Sequence, residues 1–205
     1  MVHVAKYFPV CLALWCGGVA CPAVAAAIPG DEAAGRPATP AADAYFHWVQ
    51  SVLAQTETNL PAITRAAQTA ADGFLDGRDL GVRGGAGLNE ELGARAGGLC
   101  VYRATKGKPG DVILYAFGVT TDKDPQPGPL LERELADAES LAAAGSTIIG
   151  LASRQQLDVH GLLPRAQAVC HVLLDNVAPA GDGLLTAADG QPAVPTFVTA
   201  DAIVS

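Results

Sequence analysis

Aromatic side chains are scarce in this chain, 5% of 205 residues, and there is a single methionine. Packing must rest on alanine, glycine, leucine and valine, small side chains that suit close contact between helices and a sheet. Basic residues are also few, 13 against 21 acidic ones, for a net charge of −8. Such a chain makes a poor partner for nucleic acid or an anionic membrane, and an anionic ligand would need a local positive site. No spacing of Cys, His, Asp or Glu reads as a metal site. There is no G-x-S-x-G, no P-loop lysine, and Gly84-Gly85-Ala86-Gly87 lacks the third spaced glycine of a dinucleotide fingerprint. No metal and no cofactor are therefore expected. Long apolar runs are missing too. The longest, Val10 to Ala20, is broken by Gly17 and Gly18 and followed by Pro22, too short for a membrane span.

That run reads instead as the core of a secretory signal. Lys6 and the amino terminus supply the positive start, and Ala23-Val24-Ala25-Ala26-Ala27 offers A-x-A cleavage sites ending at Ala25 or Ala27. Residues 1–27 are thus expected to be a signal peptide and the chain to be exported, periplasmic or secreted, with no stable membrane span after processing. Lipidation at Cys21 is the second-ranked alternative, because Gly18 stands where a leucine is usual. Cleavage would remove one lysine and no acid, leaving 12 basic against 21 acidic residues, or −9. It would also remove Cys11, Cys16 and Cys21 and keep Cys100 and Cys170. Two cysteines in an oxidising compartment invite a disulfide.

Residues 28–42, rich in Pro, Ala and Gly, read as a flexible linker, and 43–205 as one domain. Tyr45, Trp48, Val49, Val52 and Leu53 recur at helical spacing. A second helix is expected over Leu60 to Phe74, with Asn59 as N-cap, Pro61 in its first turn, and Gly73 or Gly77 at its end. Strands are expected at 79–83, 99–102, 111–117, 147–151 and 171–174. Helices are expected at 90–96, 130–144 and, briefly, 159–163. The run Asp111 to Phe117 is apolar on both faces, as buried parallel strands are. Strand–helix alternation implies right-handed βαβ units.

Four segments carry a family resemblance: Gly85-Ala86-Gly87; Glu90 to Leu99 (EELGARAGGL); Gly110-Asp111-Val112-Ile113-Leu114; and Asp175 to Asp182 (DNVAPAGD). In order and spacing the chain resembles the sugar isomerase (SIS) domain family, in particular its branch with RAGGL and DN-x-AP-x-GD segments. The resemblance covers roughly residues 45 to 200. It implies an α/β, flavodoxin-like three-layer sandwich with a five-stranded parallel sheet. It also implies a sugar or sugar phosphate bound in the loops at the carboxyl ends of the strands, often in a homodimer. In that strand order Cys100 and Cys170 belong to opposite edges, about 19 Å apart at ~4.8 Å per strand, so both are expected as free buried thiols.

Phosphate cradles use backbone N–H groups of glycine-rich turns and hydroxyls. Two turns qualify, Gly84 to Asn89 and Gly118 to Thr121. The expected ligand-binding residues are Gly85, Ala86, Gly87, Asn89, Arg95, Thr120 and Thr121. The first turn reads equally well as a tight strand–helix connection. The second departs from the family's Ser-rich loop, showing Ala116-Phe117-Gly118-Val119. Glu91 in E-L-G-A-R resembles the Glu of phosphoheptose isomerases and is the candidate base for proton transfer between adjacent carbons; it also reads as a surface carboxylate paired with Arg95 at i+4. His160 is its candidate partner, and Asp175 and Asn176 read as turn caps. Three readings follow: a non-catalytic domain binding a sugar or phosphosugar derivative, which ranks first; an aldose–ketose isomerase using Glu91 and His160; and an interaction domain with a degenerate site.

Overall fold

A computed structural model of the chain describes residues 40–85, 92, 102–119, 126–182, 184, 185 and 200. They form helix α1 (Pro40–Leu75), strands β1 (Leu80–Gly84), β2 (Tyr102–Ala104) and β3 (Val112–Ala116), helix α2 (Pro127–Ala143), strand β4 (Thr147–Ala152), helices α3 (Arg154–Val159) and α4 (Leu163–Val169), and strand β5 (Val172–Asp175). A turn of 3₁₀ helix follows at Ala180–Asp182. The sheet is five-stranded and wholly parallel in the order β2-β1-β3-β4-β5. This is the flavodoxin-like α/β arrangement.

The central strands read as expected because both their faces are covered. Val112, Leu114 and Ala116 turn to one apolar cluster with Val82, Leu151 and Leu174, closed by Trp48, Val52, Ala66 and Ala70 of α1. Ile113, Tyr115 and Phe117 turn to the other, closed by Leu131, Leu135 and Ala138 of α2, Leu157 of α3 and Ala166 of α4. The alternation is the period of two of a strand, run between two apolar layers.

Two local expectations need correction, and a third, that Gly73 or Gly77 ends the helix, is resolved as Gly77. The two helices expected on either side of Asn59 are one 36-residue helix with Pro61 inside it. Proline removes one helical hydrogen bond and crowds the preceding turn, at about 3 kcal/mol. Both halves nevertheless bury one continuous face, Trp48 and Val52 before Pro61, Ala66 and Ala70 after it, and Pro61 itself points to solvent. Tertiary burial outweighs the local cost. The helix also runs through Gly73 and stops at Gly77, which takes φ +78° while its N–H donates to the Phe74 carbonyl at 3.0 Å. Finally, the single short helix expected at 159–163 is instead two, α3 and α4, divided at Gly161 with φ +69°.

Cys170, just before edge strand β5, is a free buried thiol. Its sulfur fills the space over Gly150, where a Cβ would come within 2.5 Å of Sγ. Cys100 lies outside the described residues, as does the helix expected at 90–96 apart from Leu92.

Candidate functional site

Strand order reverses between β1 and β3, since β2 continues outward from β1 while β3, β4 and β5 build on the other side. Open α/β sheets hold ligands in a crevice outside the carboxyl ends of the strands at such a reversal. The two glycine turns meet at this point. The Gly85 N–H donates to the Ala116 carbonyl at 3.1 Å, and the two strands run in register from Leu80 with Val112 to Gly84 with Ala116. Gly84 takes φ +82°, and a Cβ on it would stand 1.8 Å from the Ala116 oxygen, so no other residue fits without moving a strand. A Cβ on Gly85 would stand 2.7 Å from Val119 Cγ2. Buried Val119 thus covers the end of β1 and makes the crevice floor apolar.

The second turn is held from below by a carboxylate. The Gly118 N–H donates to Oε2 of Glu134 at 2.7 Å, and Glu134 is buried on the sheet-facing side of α2. Gly118 itself takes φ +77°. The loops after β4 and β5 are tied to each other in the same way. Ser153 caps α3, its Oγ accepting from the Gln156 N–H at 3.1 Å and donating to the Ala178 carbonyl at 2.6 Å. Gln156 Oε1 accepts from the Gly181 N–H at 2.7 Å. Asn176 Oδ1 accepts from the Ala178 N–H, and Asp175 Oδ1 from the N–H groups of Val177 and Arg154. These last bonds hold Val177 at φ +61°, a conformation that β-branched residues seldom adopt.

One polar atom in this set is unmatched. Gln156 is buried to 1% exposure, and its Nε2 makes no hydrogen bond. It lies beside Gly118, where a Cβ would approach it to 3.3 Å. A buried amide donor without an acceptor costs about 1–3 kcal/mol.

Of the residues expected from sequence to form the site, Gly85 and His160 are described. Gly85 stands at the β1–β3 crevice. His160 ends α3, exposed, with its ring against Gly128 at the start of α2. Ala86, Gly87, Asn89, Glu91, Arg95, Thr120 and Thr121 lie outside the described residues. Glu134, Ser153 and Gln156 escaped the sequence reading, although each leaves a signal there. Glu134 occupies a core position of α2, three residues after Leu131 and one before Leu135. Ser153-Arg154-Gln155-Gln156 has the S-x-x-Q form of a capping box.

Among the described residues no group of three or more His, Cys, Asp and Glu could hold a metal ion, and no helix is long and apolar enough to cross a membrane. Compared with known proteins, the chain matches no family model and no curated protein.

Proposed function

We propose that this chain is an exported SIS-like domain that binds a sugar or sugar derivative, without catalysis, in the crevice outside the carboxyl ends of β1 and β3. The observation that carries the reading is the meeting of two glycine turns, Gly84-Gly85 and Gly118, at the strand-order reversal of a parallel sheet. The unmatched amide of Gln156 beside Gly118 supports it, since a ligand hydroxyl or carbonyl would give that donor an acceptor. The apolar floor made by Val119 suits the C–H face of a sugar ring.

The same geometry favours an uncharged sugar over a sugar phosphate. The Gly118 N–H, the natural donor to a phosphate at the second turn, is already bonded to Glu134, and that carboxylate repels an anion. Export points the same way, because sugar phosphates are mainly cytoplasmic metabolites. A thermal-shift screen of neutral sugars and sugar phosphates tests the proposal, because a ligand that prefers the native state raises the melting temperature. A shift with neutral sugars is the expected result. Turnover of a sugar phosphate, lost in Glu91→Gln, would replace the proposal with the isomerase. No shift with any sugar would leave an interaction domain.

A further inference from the structure

Among the described residues two buried side-chain atoms make no hydrogen bond, the indole Nε1 of Trp48 and the amide Nε2 of Gln156. Both are donors, and both belong to the carboxyl-end side of the sheet. Gln156 follows β4, and its Oε1 accepts from the Gly181 N–H, which fixes Nε2 as the end beside Gly118. Trp48 is placed by its helix. Gly73, near the end of α1, sits against the start of β3, where a Cβ would come within 2.5 Å of Val112 Cγ2. Trp48 lies about 38 Å before Gly73 along the helix axis, whereas β3 spans only about 13 Å. Helix α1 therefore overhangs the carboxyl ends of the strands. It packs across β5 as well as β1 and β3, and Trp48 joins the cluster that holds Ala178 and partly buried Val177, just after β5.

We infer that the ligand is an uncharged oligosaccharide of two or three units rather than a single sugar, running from the β1–β3 crevice past Gln156 to Trp48. This rests on the sugar reading proposed above and extends it in length. Strand order sets the span. β5 stands two strand spacings from β3 and three from β1, about 10–14 Å, more than one pyranose ring covers and within reach of two or three joined by glycosidic bonds. The unmatched donors point the same way. Hydroxyl, ring and glycosidic oxygens supply acceptors at intervals along a glycan, whereas one sugar seated at Gly118 leaves the Trp48 N–H unmatched. Aromatic residues are 5% of the chain, yet Tyr45 and Trp48 stand one turn apart, their rings 5.3 Å from each other, with Tyr45 only partly buried. Such rings suit the C–H faces of sugars. Acidic glycans fit worse, because the chain carries −8 and buried Glu134 holds the Gly118 turn. One segment meets both donors: Val177 and Ala178 cluster with Trp48, and Gly181 bonds to Gln156. Val177 there holds φ +61°, the kind of uncommon backbone that ligand clamps carry.

Trp48 is itself the reporter. The chain has two tryptophans, and Trp15→Phe leaves Trp48 alone. A printed array of neutral mono-, di- and trisaccharides selects the probe. The best-bound trisaccharide, its disaccharide and its constituent monosaccharide are then titrated into the full-length Trp15→Phe protein. Affinity should rise at least about tenfold from the monosaccharide to the longer ligands, and Trp48 emission should shift with the longer ligands alone. Trp48→Phe keeps an aromatic ring in the cluster and removes the donor. It should cancel most of the gain, with circular dichroism reporting that the fold is intact. The emission measurement needs no change at Trp48, so it decides even where Trp48→Phe fails to fold. Equal affinity at every length, a Trp48 emission that ignores the trisaccharide, or a Trp48→Phe protein that keeps the gain would each overturn the inference and leave the sugar reading standing. An array on which no sugar of any length binds would overturn both.

Discussion

Glu134→Gln separates an uncharged ligand from a phosphorylated one. Glu134 is 9% exposed and accepts the Gly118 N–H at 2.7 Å. Glutamine keeps an acceptor oxygen in place and removes the charge. The bond falls from the strength of a charged acceptor to that of a neutral one, a loss of about 1 kcal/mol, which for a domain of this size lowers the melting temperature by about 3 °C. The effect on ligands is larger and selective. A phosphate about 6 Å from the carboxylate, at an effective dielectric of about 20, is repelled by about 3 kcal/mol per unit of ligand charge. Calorimetric titration of a hexose and its phosphate into both proteins should therefore show hexose affinity changed by less than about twofold, and phosphate affinity raised by more than about tenfold. The reasoning fails if the native protein already prefers the phosphorylated sugar, or if the substitution moves both ligands equally.

Gly84→Ala should cost at least about 3 kcal/mol, from a positive φ worth about 1–2 kcal/mol and a Cβ forced against a strand carbonyl, whereas Gly145→Ala, at φ +96° with nothing within 4 Å, should cost the backbone part alone; equal urea midpoints would exclude the clash. Cys170 should impose an alkaline limit on stability: burial pushes its thiol from 9.0 up to about 12, only partly offset by a hydrogen bond with the Gly150 backbone. Between those values the unfolded chain gives up the proton first, so stability is intact below pH 9 and falls as pH rises, by about 2 kcal/mol at pH 10.5. Urea unfolding of the native protein and of Cys170→Ala across that range checks this, and parallel slopes in the two proteins would refute it.

The parallel sheet was legible because its strands announce themselves locally. Asp111 to Phe117 and Thr147 to Leu151 are apolar on both faces, and such runs need helices above and below. Turn chemistry was legible too, since Asp175 and Asn176 satisfy backbone N–H groups two residues on. Local rules misled at Pro61, where a penalty of one turn met a face of burial about six turns long, from Trp48 to Ala70. They were silent on Glu134, whose partner Gly118 lies 16 residues away, and on Gln156, whose partner Gly181 lies 25 away.

Periodicity and turn residues by themselves determined that this chain builds strands, helices and a buried parallel sheet, because those choices are made within a few residues of backbone. Only the tertiary structure decided which carboxylate occupies the Gly118 amide, that Val119 closes over Gly85, and which side of α1 the sheet leaves uncovered. Those outcomes depend on which segments the topology brings side by side, and a buried group's energy is set by the neighbour it meets there.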